Sequence, residues 1–142
     1  MTSQSGTPKS IVLAYWKHVW CEGRAAEVSR FYDATAWLNG ERLDVTTFSA
    51  SVTSWFQKFP DFSATVEEAI TVDDRVVTRV TYRGTHLGTW AGLPATGRSF
   101  TSLGLDIFQI RDGSIVEHWH ATDHYELIDQ LGGRVIPSDA PD

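Results

Sequence analysis

The chain reads as an α+β protein, with helices packed on one face of a curved sheet. Three observations lead there. The first half carries apolar residues at helical spacing: Ile11, Tyr15 and Val19 on one stripe, Val12, Trp16 and Trp20 on the next. The second half holds four runs rich in β-branched residues, separated by turn signals. The 142 residues suit one domain with its own core. Helices first and an antiparallel meander after them is the α+β pattern. Such a sheet can enclose a pocket between itself and its helices.

The elements follow in order. Ser10 to Gly23 predicts a helix, with Gly23 as its stop. Ala25 to Tyr32 predicts a second, short helix, and Thr35 to Asn39 a short strand before a turn at Asn39-Gly40. Asp44 is placed to cap a third helix from Val45 to Phe59, which Pro60 ends. Ser63–Thr71, Arg75–His86, Ser99–Ile110 and Ser114–Thr122 predict strands, with tight turns at Asp73-Asp74 and Asp112-Gly113. Gly88–Gly97 is a loop. Asp123–Gly132 closes the chain as a short helix, with Asp123 as N-cap. Val12, Val19, Phe48, Val52, Phe56, Ile107 and Ile115 are the expected core. The single domain spans 1–142, with residues 1–9 and 134–142 expected to be flexible ends.

Composition narrows the function. The net charge of −6 and the pI near 5.2 argue against a nucleic-acid partner, which needs a basic face. One cysteine, Cys21, permits neither an internal disulfide nor a cysteine zinc cluster. No apolar run approaches the roughly 18 residues of a membrane span, and Met1–Ser10 lacks the apolar run of a signal peptide, so the expected location is the cytoplasm. The aromatic content departs from average: six Trp, seven Phe and four Tyr exceed what core filling demands. Tyr15, Trp16 and Trp20 on the first helix, Trp55 on the third, Trp90 in the glycine loop and Trp119 before Asp123 are the candidate substrate-lining residues.

The residues that could carry chemistry lie mainly in the second half. Strand alternation places Ile115, Glu117 and Trp119 on one face and Val116, His118 and His120 on the other. His118 and His120 could hold a metal with a third ligand, although paired strand histidines are more often hydrogen-bonding groups, and no metal is assigned. Asp123 follows at the strand-to-helix junction, where a carboxylate either caps the helix or points from the sheet rim into a cavity. Asp106 sits mid-strand among apolar residues, on the parity of Gly104 and Phe108. A buried carboxylate there should have a raised pKa and could act as a general acid or base; the alternative is that it faces solvent or pairs with Arg79 or Arg83. His86 ends its strand on the parity of Val80 and Tyr82, as a core histidine or a site residue. The glycine loop lacks a phosphate-loop ending, and there is no nucleophile elbow.

Several segments together resemble the SnoaL-like polyketide cyclases. They are His86-Leu-Gly-Thr-Trp-Ala-Gly-Leu-Pro-Ala-Thr-Gly-Arg98, the strand with Asp106, Arg111-Asp-Gly-Ser-Ile-Val-Glu-His-Trp119, Asp123, and Gln130-Leu-Gly132. The likeness runs roughly from Ile11 to Gly133. It implies a conical, mixed or antiparallel sheet against three N-terminal helices, as in ketosteroid isomerase and nuclear transport factor 2. It implies a homodimer or homotetramer, and ring closure on an apolar or aromatic small molecule by intramolecular aldol condensation without cofactor. In that scheme the carboxylate matching Asp123 is the general acid/base. The residue matching Asp106 assists it, where many members have His, and His86 matches the histidine before the glycine loop. His120 stands where Asp or Glu is frequent. The same fold also hosts epoxide-opening cyclases, epoxide hydrolases, hydroxylases and non-catalytic binding proteins.

Overall fold

A computed structural model describes residues 6–136. Thr7 caps α1 (Pro8–Tyr15), its hydroxyl accepting from the Ser10 amide. Pro8 and Lys9 are therefore helical rather than frayed; residues 1–5 and 137–142 lie outside the described residues. The helix runs on as a wider π-helical turn, Trp16–Cys21. That winding aligns residues five apart, so the Trp20 indole N–H reaches the Tyr15 hydroxyl at 2.9 Å. The second helix is shorter than its pattern suggests: a 3₁₀ turn, Ala25–Glu27, then α2 (Val28–Phe31). Tyr32 already belongs to β1 (Tyr32–Leu38), which turns at Asn39-Gly40 into β2 (Glu41–Arg42). Both turn residues have positive φ, as a tight hairpin of this kind needs. Asp44 caps α3 (Val45–Lys58) by accepting from the Thr47 amide.

The meander comprises β3 (Ser63–Val72), β4 (Arg75–Thr85), β5 (Ser99–Arg111) and β6 (Ser114–Thr122), and α4 (His124–Gln130) follows. The six strands form one sheet in the order β2-β1-β6-β5-β4-β3, antiparallel except for the β1–β6 pair. The helices of the first half cover one face. The core lies between, with Val12, Val19, Val28, Val52, Val76, Val80 and Phe108 fully buried.

One parity departs from simple alternation, and one expected core residue faces outward. A register shift lets Ile110 pair Ile115 while Gln109 pairs Glu117, so Val116 is an extra, bulged residue. Ile115 therefore turns inward together with His118, although in a regular strand it would share the outer face with Glu117. Ile107, expected in the core, is 40% exposed. The inward parity of Asp106 and Phe108 puts Ile107 on the outer face with Leu103, Leu105 and Trp119.

Candidate active site

A cavity of about 280 Å³ opens between the helices and the inner face of the sheet. Its helical wall is aromatic: Tyr15, Trp16 and Trp20 from the first helix, Phe48 and Trp55 from α3. Tyr82, Phe100 and Phe62 continue that wall. The polar groups gather on β5 and β6 and beside them: Ser102, Asp106, His118, His120, Thr122, Asn39 and His124. No Lys or Arg lines it among the described residues.

At its polar end three side chains converge. Asp106 and His120 are cross-strand partners, as are Phe108 and His118. Asp106 Oδ2 lies 2.6 Å from His118 Nε2 and 2.9 Å from His120 Nδ1. A carboxylate only accepts, so both imidazoles donate to one oxygen. His118 is buried flat against the Phe108 ring, centroids 4.1 Å apart, and its Nδ1 is 2.8 Å from the Tyr32 hydroxyl. The Tyr32 and Tyr15 hydroxyls are 2.9 Å apart. His120 differs: its side chain is 33% exposed, its backbone amide donates to Asn39 Oδ1, and its Nε2 is left for the cavity.

Burial works against the charge on Asp106, yet the hydrogen bonds from His118 and His120 outweigh it and hold the carboxyl below the ordinary range. This corrects the expectation of a raised pKa. Neither Arg79 nor Arg83 reaches Asp106; Arg79 instead pairs with Glu68 on the outer face. Burial pushes His118 down, against the pull of Asp106. His124 is lowered too, by burial and then by the charge of His120. Burial raises Tyr15, Tyr32 and Tyr82, which stay protonated.

Asp106, His118 and His120 also have their donor atoms within 4.8 Å of one another, the spacing a metal ion could use. Two ligands on a tetrahedral metal stand about 3.3 Å apart at ordinary bond lengths. The 2.6 Å contact between Asp106 and His118 is closer than that, so the group is arranged as a hydrogen-bonded cluster.

The other expected site residues lie elsewhere. Asp123 is exposed and caps α4, accepting from the Glu126 amide at 3.0 Å; it does not line the cavity. The chain turns into α4 there, and the capping geometry directs the carboxylate at the helix end. His86 is fully buried outside the cavity, stacked on Phe59, with Nδ1 accepting from the Thr96 amide and 3.0 Å from the Thr96 hydroxyl. Trp90 packs against Trp55 and Phe59 without lining the cavity. Trp119 is 45% exposed on the outer sheet face, because its neighbours His118 and His120 point inward. Tyr15, Trp16, Trp20 and Trp55 do line the cavity. Sequence reasoning missed His118 as a hub and Tyr32 and Tyr82 as site residues. The shared parity of His118, His120 and Asp106 was the available signal for the first; nothing local marked the tyrosines.

A cone-like α+β fold that closes over an aromatic cavity with titratable groups at one end defines a class of small-molecule proteins. Within it, the family model of the SnoaL-like polyketide cyclases matches residues 10–131, and the chain belongs to that family. Among curated proteins no relative matches. Solved structures do. IdmH from Streptomyces antibioticus is 27% identical, with a TM-score of 0.79, over 89% of this chain and 99% of its own. TsrD from Streptomyces laurentii is 27% identical, with a TM-score of 0.77, over 87% and 92%. A SnoaL-like polyketide cyclase from Agrobacterium tumefaciens, at 21% identity, shares the fold with a TM-score of 0.77 over 90% and 100%.

Proposed function

We propose that the protein closes a ring in a polyketide-type small molecule by intramolecular aldol condensation, with His120 and Asp106 as the acid/base pair. The observation that carries this reading is the 2.9 Å contact from His120 Nδ1 to buried Asp106, with the other ring nitrogen at the cavity. The carboxylate fixes the Nδ1–H tautomer, so Nε2 holds a lone pair. His120 Nε2 takes a proton from a carbon flanked by carbonyls, and Asp106 stabilises the imidazolium that forms. The resulting enolate carbon attacks a ketone of the same molecule. The alkoxide takes the proton back from His120, so the base is regenerated and no redox equivalent is needed. The aromatic walls hold a flat, apolar substrate in a folded, reactive pose.

This moves the acid/base role from Asp123 to His120. The test is turnover of a β-polyketone ester by His120→Gln: loss of ring closure with an unchanged fold supports the assignment, and full activity overturns it. A hydroxy-epoxide offered in parallel separates aldol closure from epoxide opening; turnover of that substrate alone would overturn the aldol reading.

We also propose a homodimer through the outer sheet face. Trp37, Leu103, Leu105, Ile107 and Trp119 expose an apolar row there, each at least 40% accessible. A second copy of the chain is the occupant the family resemblance implies. Leu105→Glu should convert a dimer to a monomer in light scattering; a wild-type protein that is monomeric at micromolar concentration contradicts the proposal.

A further inference from the structure

We propose that Tyr15 and Tyr32 are positioning residues: with Trp20 they form a one-way hydrogen-bond chain that locks His118 as a neutral donor, leaving His120 as the imidazole that exchanges protons in the cavity. The second half of this statement rests on the acid/base reading above; the first half does not.

The number of protons along the chain sets its direction. The chain has four links: Trp20 Nε1 to Tyr15 Oη at 2.9 Å, Tyr15 to Tyr32 at 2.9 Å, Tyr32 to His118 Nδ1 at 2.8 Å, and His118 Nε2 to Asp106 Oδ2 at 2.6 Å. One end, an indole N–H, only donates. The other end, a carboxylate, only accepts. Between them stand two hydroxyls and one imidazole. If His118 is neutral, each group supplies one proton, and each link receives one. Trp20 donates to Tyr15, Tyr15 to Tyr32, Tyr32 to His118 Nδ1, and His118 Nε2–H to Asp106.

The opposite sense, Tyr32 donating to Tyr15, fails this count. Tyr15 would then receive two protons, and its own would have no protein acceptor among the described residues. His118 would have to donate from both nitrogens, which makes it an imidazolium. His118 is 3% exposed and stacked between the Phe108 and Tyr32 rings, a setting that disfavours a charge. Buried hydroxyls without acceptors are costly as well. The one-way chain satisfies every donor.

The consequence is a division of labour between two similar histidines. To protonate His118 Nδ1, the Tyr32 proton must leave and the chain behind it must reverse. Among the described residues His120 has no such partner on Nε2. The groups facing His118 are Asp106 from β5, Tyr15 from α1, Tyr32 from β1 and His120 from its own strand. Those facing His120 are Asp106, His118, Tyr82 from β4 and His124 from α4. Asp106 is the one carboxylate in both sets, and its Oδ2 takes both donors.

Long-range proton–nitrogen NMR of the intact protein tests this without any substrate, over about pH 5 to 8. In the wild type, His118 should show a pyrrole-type Nε2 and a pyridine-type Nδ1 throughout. In Tyr32→Phe the Nδ1 lone pair is released. His118 should then titrate within the range, with proton affinity raised about tenfold or more. Tyr15→Phe keeps the Tyr32–His118 link and should move His118 less. A wild-type His118 that is an imidazolium, or protonated on Nδ1, or titrating within this range, overturns the proposal. So does a Tyr32→Phe protein whose His118 behaves as in the wild type. The wild-type measurement stands even if a variant does not fold. A noncatalytic His120 would sink the ring-closure reading and leave this tautomer result untouched.

Discussion

Replacing Asp106 by Ala should cost stability in a way that its partners make measurable. The carboxylate accepts two hydrogen bonds, and their donors are not equally trapped. The His120 side chain, 33% exposed, can turn toward cavity water and recover its loss. The His118 side chain is 4% exposed, and its Nε2–H would be left with no acceptor. An orphaned buried donor costs about 1–3 kcal/mol, and hydrogen bonds to a charged group lie in the upper half of that range. We therefore expect a loss of about 2–3 kcal/mol, nearly all of it through His118. At roughly 3–5 °C per kcal/mol for a domain of this size, that is a Tm lower by about 6–15 °C. The assay is a double-mutant cycle with His118→Phe, which keeps an aromatic ring stacked on Phe108 but removes the donor. Once His118 is gone, Asp106→Ala should cost far less, with a coupling of at least about 1 kcal/mol. Coupling below about 0.5 kcal/mol, the scatter of independent sites, would refute the reasoning.

Acidification should destabilise the protein in two stages. His118 and His124 have folded pKa values below the ordinary histidine value, so the unfolded chain binds more protons and stability falls as pH drops below about 6.5. Asp106 is depressed below the ordinary carboxylate value, so its contribution is intact above about pH 4 and is lost as pH falls through the folded value. Urea titrations from pH 7.5 to 5.5, in approximate steps suited to these values, would contradict this if the midpoint stayed constant. Gly104→Ala should also destabilise, by about 1–3 kcal/mol, because a methyl group there would collide with the Tyr82 ring and hydroxyl. Tyr82 lines the cavity, so the same substitution should weaken binding of an aromatic probe; unchanged affinity and Tm would show that the ring yields freely.

Much of this architecture is legible in the residues. The strand Ser114–Thr122 matches the predicted one residue for residue, the other three strands of the meander differ by one residue at one end, and β1 starts three residues earlier than predicted. β-branched runs between turn dipeptides carry that signal. The inward direction of Asp106 follows from its parity with Gly104 and Phe108. The same parity excludes Ile107 from the core, a point that hydrophobicity alone obscured. Less legible are the features that depend on distant partners. The bulge at Val116 reverses parity between Ile115 and His118, and no local pattern announces it. The π-helical turn that brings Trp20 onto Tyr15 is a five-residue spacing hidden in an ordinary amphipathic stripe. Asp123 satisfied two descriptions at once, a helix cap and a rim carboxylate, and spacing could not separate them. Three of the six tryptophans line the cavity, while Trp37 and Trp119 lie on the outer face. Their number alone could not sort them.

The central claim is that the reacting pair is His120 with Asp106, and that Asp123 serves the helix end. The most direct measurement compares kcat/KM for ring closure of a β-polyketone ester in His120→Gln and Asp123→Asn, with Tm recorded for both. The account predicts a loss of at least about a hundredfold in His120→Gln, the scale of a missing general base. It predicts near-wild-type turnover in Asp123→Asn, with a Tm lowered by a few degrees at most, since Asn is also a good N-cap. The reverse pattern, with activity lost in Asp123→Asn and kept in His120→Gln, would contradict it.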